Sequence, residues 1–168
     1  MFHLETDRLK ISKFTIGDAP FILKITNSNG WLTYIGDRNI HSIKDAENYL
    51  KNDPIASYGV HGLGLFKVAL KNSNKSIGIC GFKKRPELNY PDLGFAFLPE
   101  FEGKGYAFES SKALITWADK KIDYTKILAI TLKENRRSIS LLQRLGFHLV
   151  DEYKKDEEVL LRLEIELN

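Results

Sequence analysis

The sequence predicts an α/β (α+β) domain of three layers, with a central mixed, mostly antiparallel sheet between helices. Three observations carry this reading. Mid-chain, two apolar strands joined by a polar turn and followed by a third form an antiparallel meander. The apolar period then changes from two to 3.6 at a turn holding Gly103 and Gly105. Beyond that turn, strand-helix-strand patterns imply the crossovers that parallel neighbours require.

Taken in order, Leu9 to Phe14 alternates apolar and polar residues as a half-buried strand does. Thr15 and Asp18 have capping-box spacing and open a helix with Phe21, Ile22 and Ile25 on one face, ending near Asn27-Ser28-Asn29-Gly30. A loop carrying Trp31 and Tyr34 follows. Ser42 and Asp45 repeat the box and start a helix with Ile43, Ala46 and Leu50, which Pro54 is expected to end. Gly64 to Leu70 and Ser76 to Phe82 are strands of a hairpin turned by Lys71-Asn72-Ser73-Asn74-Lys75, and Asp92 to Leu98 is the third strand. Ala107, Ser111, Leu114, Ile115 and Ala118 then form the buried stripe of a helix. Lys126 to Leu132 is a strand, Asn135 to Leu145 a helix capped by Gly146, and Phe147 to Tyr153 and Val159 to Leu167 are the last strands. In the final strand Leu161, Leu163, Ile165 and Leu167 alternate with Arg162, Glu164 and Glu166, so one face is expected to be buried and the strand to lie away from the middle of the sheet.

The 168 residues, 43% hydrophobic and 28% charged, contain no repeat or linker and read as one domain over residues 1–168. No stretch reaches the roughly 18 apolar residues of a membrane span, and the N-terminus lacks signal-peptide order, so a cytoplasmic protein without membrane attachment is expected. Its 25 basic and 22 acidic residues are interleaved, which argues against a nucleic-acid partner, and Lys83-Lys84-Arg85 reads as solvated surface. Cys80 is the sole cysteine and lies in an apolar strand, so it reads as a buried structural residue. His3, His41, His61 and His148 are scattered without metal-ligand spacing, and no metal is expected.

Pro99-Glu100-Phe101-Glu102-Gly103-Lys104-Gly105-Tyr106-Ala107 joins a strand directly to a helix N-terminus. Glycines there allow close backbone approach, and the unpaired N–H groups of a first helical turn favour a phosphate or pyrophosphate. The same glycines would also suit a plain tight turn. A Walker A loop would need Ser or Thr after Gly103-Lys104, and a dinucleotide fingerprint would need glycine at Phe108; neither is present.

Glu102-Gly103-Lys104-Gly105-Tyr106-Ala107, with Phe108-Glu109 after it, resembles the pyrophosphate loop of the GNAT superfamily of N-acetyltransferases. It is similar in particular to the branch that acetylates ribosomal-protein N-termini. Leu4-Glu5-Thr6-Asp7-Arg8-Leu9, Tyr34-Ile35-Gly36-Asp37 and Asp92-Leu93-Gly94-Phe95-Ala96-Phe97 extend the likeness, and Asn135-Arg136-Arg137-Ser138 with Leu145-Gly146-Phe147 resembles the family's Asn-x-x-Ser…Leu-Gly-Phe helix.

This resemblance implies the acyl-CoA N-acyltransferase (GNAT) fold, acetyl-CoA as cosubstrate, and direct attack by a protein N-terminal or small-molecule amine in a ternary complex. It places the pyrophosphate on the amides of Glu102, Gly103, Lys104, Gly105, Tyr106 and Ala107, and the pantetheine on main-chain groups around Phe97 and Leu98, with Asn135 and Ser138 as further contacts. Asp92 is the candidate base, Ser138 the candidate group near the sulfur, and Trp31 and Tyr34 candidate walls of the acceptor pocket. Asn135 would equally serve as a helix cap. Two positions depart from the pattern: Glu102 stands for the usual Gln or Arg, where a carboxylate repels a pyrophosphate unless it points to water, and Leu142 stands where many members have a tyrosine. They motivate the alternative of a catalytically silent acyl-CoA-binding or sensor module. A monomer or homodimer is expected.

Overall fold

The computed structural model describes residues 2–168, which form one eight-stranded sheet with helices on both faces. The strands are β1 (His3–Glu5), β2 (Leu9–Ser12), β3 (Leu65–Leu70), β4 (Ser76–Lys83), β5 (Asp92–Phe97), β6 (Lys126–Leu132), β7 (His148–Lys155) and β8 (Glu158–Glu166), in the spatial order β1-β2-β3-β4-β5-β6-β8-β7. Every neighbouring pair is antiparallel except β5 and β6, so the sheet is mixed and mostly antiparallel.

The helices are α1 (Ala19–Thr26), α2 (Asn29–Tyr34), α3 (Ile43–Leu50), α4 (Ala56–His61), α5 (Tyr106–Lys121) and α6 (Arg136–Arg144). Strand periodicity builds two cores on opposite faces. Phe66 and Cys80 pack with Leu114 and Ala118 of α5 and Leu142 of α6, whereas their neighbours Leu65 and Ile79 pack with Ile22 and Ile25 of α1, Trp31 of α2, and Ala46 and Leu50 of α3. Phe2 stacks on Phe66 with 4.0 Å between ring centroids, extending the first core to the chain's start.

Local signals hold where the chemistry is local. The Asp18 carboxylate accepts the Thr15 N–H at 2.8 Å, and the Ser42 hydroxyl accepts the Asp45 N–H at 3.1 Å while donating to the Asp45 carboxylate at 2.7 Å. Gly146, at φ +100°, ends α6 in a Schellman turn: its N–H reaches Gln143 O, and the Phe147 N–H reaches Leu142 O, each at 3.0 Å. Leu161 and Leu163 are buried between half-buried neighbours, and β8 lies one strand from the edge.

Other expectations need correction. The chain opens with a hairpin, β1 against β2, and β2 stops at Ser12 rather than Phe14. Trp31 and Tyr34 sit on a short helix rather than a loop, because burying the Trp31 ring in the second core outweighs the turn preference of Asn29-Gly30. Pro54 does not end the helical run: Lys51–Ile55 winds as a wider π-type turn that accommodates the missing N–H, and α4 continues to His61 before Gly62 stops it. The Lys83-Lys84-Arg85 cluster is not a solvated run. Lys83 reaches Asp53 at 2.8 Å, Lys84 donates to the Leu88 carbonyl, and Arg85 holds Asp92.

Candidate active site

β5 and β6 pair at one position only, Asp92 opposite Leu128, after which they part. The Leu98 N–H is donated back to Ile77 O at 2.9 Å, and Phe97 stands opposite Gly78 of β4. Antiparallel alternation then turns the N–H and C=O of Phe95 and Phe97 away from β4, into the gap left by β6. The Leu98 N–H is thereby spent within the sheet, and its carbonyl accepts the Phe101 N–H at 2.9 Å. Phe97 is 7% exposed, with its ring over the space that Gly78 leaves.

The gap opens into a cleft of about 1090 Å³, walled by α2, β5, the 99–107 turn, the end of β6 and the first turns of α6. At its phosphate-sized end Gly103 has φ +69° and Gly105 φ +81°, the left-handed region where a side chain is strained. With that turn the N–H groups from Gly103 to Phe108 find no acceptor among the described residues, while Glu109 N–H resumes the helix on Gly105 O at 3.0 Å. The Lys104 side chain leans over the Phe101 ring at 5.7 Å and its carbonyl accepts Arg8 Nη1 at 3.0 Å, so of its groups only the main-chain N–H is without a partner among the described residues. Tyr106 and Ala107 line the cleft as the first turn of α5.

The turn is tied down from the other end of the chain. Glu109 accepts Arg8 Nε at 2.7 Å, the Arg8 N–H at 3.0 Å and the Thr6 hydroxyl at 2.5 Å. Burial alone pushes the Glu109 carboxyl up, but the Thr6 and Arg8 bonds and the guanidinium charge outweigh it and hold it below its ordinary value. The Arg8 guanidinium also lies 4.5 Å from the Tyr106 ring centroid. Thr6, Arg8 and Glu109 stood within recognised stretches of sequence, but nothing in their spacing said that they meet.

Glu102, 32% exposed, is not left to water alone. Its carboxylate takes Arg137 Nη1 at 2.8 Å, and its other oxygen lies beside Gly30 of α2, 3.1 Å from where a Cβ would stand. Asn135 makes the cap, its Oδ1 accepting the Ser138 N–H at 3.2 Å, which leaves its Nδ2 donors for the cleft. Ser138 lines the cleft half-buried, and its hydroxyl has no partner among the described residues. Leu142 is 1% exposed, packed in the core beneath α6, so this position offers bulk and no proton.

Asp92 is 3% exposed, and both its oxygens are held by Arg85, Nε at 2.8 Å and Nη2 at 3.2 Å. This fork raises the Arg85 pKa and makes Asp92 an anchor for a guanidinium at the cleft wall. Trp31 of α2 is buried in the second core with its indole N–H enclosed and without a partner among the described residues, and Tyr34 lines the cleft exposed. Tyr49, whose phenol burial pushes up, and Arg38 also line the cleft, and neither stood out in the sequence. Among the described residues no group of three or more metal-ligating side chains gathers.

The donors of the glycine turn and the free strand backbone beside them suit a long ligand with an anionic head and an amide-bearing arm. The family profile described as an acetyltransferase (GNAT) domain matches residues 8–148. Among curated relatives, the chain is 24% identical over 153 residues to the uncharacterized N-acetyltransferase YnaD of Bacillus subtilis (strain 168), covering 91% of this chain and 86% of that one. Its fold is similar to that of the ribosomal-protein-S5-alanine acetyltransferase of Vibrio fischeri, with a TM-score of 0.85, 19% identity, and coverage of 100% and 98% of the two chains. It is also similar to RimL, a ribosomal L7/L12 α-N-protein acetyltransferase solved with coenzyme A, with a TM-score of 0.88, 15% identity, and coverage of 99% and 98%.

Proposed function

The chain belongs to the acetyltransferase (GNAT) family, and on that premise we propose that its cleft binds acetyl-CoA and passes the acetyl group directly to an amine. The observation that carries this is the run of unpaired N–H groups from Gly103 to Phe108 beside the single-pair junction of β5 and β6. One is the donor set for a pyrophosphate, the other an open strand edge for the amides of a pantetheine arm.

When bound, acetyl-CoA supplies an electrophilic acyl carbon and a thiolate that can leave. The N–H groups of Phe95 and Phe97, turned away from β4, would hold the arm and donate to the acyl oxygen, where negative charge grows during attack. Asn135, through Nδ2, and Ser138, through its hydroxyl, would meet the sulfur end, with Ser138 the donor toward the departing thiolate. With Leu142 buried and without a proton to give, that donation falls to Ser138 or water. Asp92 keeps Arg85 in place, and the amine's proton leaves through water in the open cleft. Trp31 and Tyr34 form the acceptor wall.

Release of free coenzyme A thiol from acetyl-CoA, followed against a panel of N-terminal peptides, amino sugars, amino acids and polyamines, tests this. Amine-dependent release is expected with at least one class. Tight binding of acetyl-CoA with no release for any amine would replace the proposal by the silent acyl-CoA-binding module.

A further inference from the structure

The carboxylate of Glu102 sits at the mouth of an anion-binding turn, where alone it would repel the anion it borders. It is not alone: Arg137, from the first turn of α6, lies 2.8 Å away, and both residues line the cleft. The Arg137 guanidinium spends one of its five N–H donors on Glu102 and is 68% exposed, leaving the others free to meet a second acceptor. Lys104, the cation inside the turn, leans instead over the Phe101 ring. Beside Arg8, which is spent on Glu109 and the Lys104 carbonyl, the loop mouth therefore gains a second guanidinium from another helix, and Glu102 is its tether. Resting on the acetyl-CoA reading above, we propose that Arg137 is a cofactor-binding residue that donates to the pyrophosphate, and that Glu102 is the positioning residue that holds its guanidinium over the turn.

The geometry gives Glu102 a second neighbour that supports a fixed pose. Gly30 of α2 leaves room for its free oxygen, so the side chain spans from α2 to α6 across the loop mouth. A carboxylate that merely decorated the surface would gain nothing from this. As a tether, it holds in place a side chain that would otherwise lose several rotamers on meeting a ligand.

The two possible roles of Glu102 predict opposite signs in a double-mutant cycle. Calorimetric titration with coenzyme A, on the wild type, Arg137→Ala, Glu102→Gln and the double variant, reads them. Arg137→Ala is expected to weaken binding about tenfold, as loss of a charge-assisted hydrogen bond does. Glu102→Gln is expected to weaken binding a few-fold when Arg137 is present, because the tether loosens. It is expected to strengthen binding when Arg137 is already alanine, because only repulsion is then removed. Dephospho-coenzyme A, which keeps the pyrophosphate and lacks the 3′-phosphate, should show the same Arg137→Ala penalty. Unligated melting temperatures of the variants should match the wild type, since the pair is exposed.

Glu102→Gln strengthening binding in both backgrounds would overturn the tether. An Arg137→Ala penalty absent with both ligands would overturn the binding role, and one present with coenzyme A but absent with dephospho-coenzyme A would overturn the pyrophosphate assignment and move Arg137 to the 3′-phosphate. A wild type that binds neither ligand would overturn the acetyl-CoA reading itself, and this proposal with it.

Discussion

Arg8 and Glu109, 101 positions apart, meet through two hydrogen bonds, from the Arg8 main chain at 3.0 Å and its Nε at 2.7 Å. The pair fastens the β1–β2 hairpin to the first turn of α5, and the same guanidinium reaches the Lys104 carbonyl within the glycine turn. The N-terminal hairpin thus sets the direction of the loop amides. Glu109→Gln and Arg8→Ala should each weaken coenzyme A binding several-fold, and a double-mutant cycle on stability should give a coupling of about 1 kcal/mol. Titration calorimetry and denaturant unfolding of the four proteins would check both.

The same pair gives a pH dependence. The Glu109 carboxyl is held below its ordinary 4.5 in the folded chain, so the unfolded chain binds the proton first. Its contribution to stability is complete above pH 4.5 and fades as pH falls through the lower folded value. Acid unfolding of Glu109→Gln should therefore show a shallower loss of stability below pH 4.5 than the wild type, read by circular dichroism midpoints across pH 2–6.

Gly105 occupies φ +81° with Arg8 Nη2 standing 3.3 Å from where a Cβ would be. Gly105→Ala should cost about 1–2 kcal/mol from backbone strain, with added loss from displacing Arg8. Gly105→Val, folded at lower temperature, should lose measurable coenzyme A binding. Gly103 has a similar φ but open space around its missing Cβ, so Gly103→Ala should pay the strain alone.

Asp92 tests anchor against base. Asp92→Asn breaks a fork in which the carboxylate is 3% exposed and should destabilise by roughly 2–4 kcal/mol, with Arg85→Ala similar and the double variant less than additive. The pH profile of kcat/KM for Asp92→Asn should keep its wild-type shape. Loss of its acidic limb in Asp92→Asn but not in Arg85→Ala would restore Asp92 as the base.

Cys80 is fully buried, and burial pushes its thiol up to about 11 despite the Ser111 hydroxyl 3.4 Å away. A thiol reagent at pH 8 should leave it unmodified in the native protein and label it promptly in denaturant.

What could be read in advance follows the range of the forces involved. The boxes at Thr15 and Ser42, the cap at Gly146 and the alternation of Leu161 and Leu163 are decided within a few residues, and the sequence displays them. β1 has three residues, too short for an alternating pattern, and α2 is decided by where Trp31 is buried rather than by Asn29-Gly30. At the site, the glycine turn was legible because its backbone demand falls on two adjacent-but-one residues. The partners that orient it, Arg8 with Glu109, Arg137 with Glu102 and Arg85 with Asp92, join separated segments, and no local pattern encodes which charges will meet.

The most direct measurement is the thermal unfolding midpoint with and without acetyl-CoA, with ATP and NAD at the same concentration as controls. At about 100 times its dissociation constant a ligand adds roughly 2.7 kcal/mol, a rise of roughly 5–10 °C for a chain of this size. A rise with acetyl-CoA that neither control reproduces is the predicted result. An unchanged midpoint with acetyl-CoA, or an equal rise with ATP, would contradict an acyl-CoA site at the β5–β6 cleft.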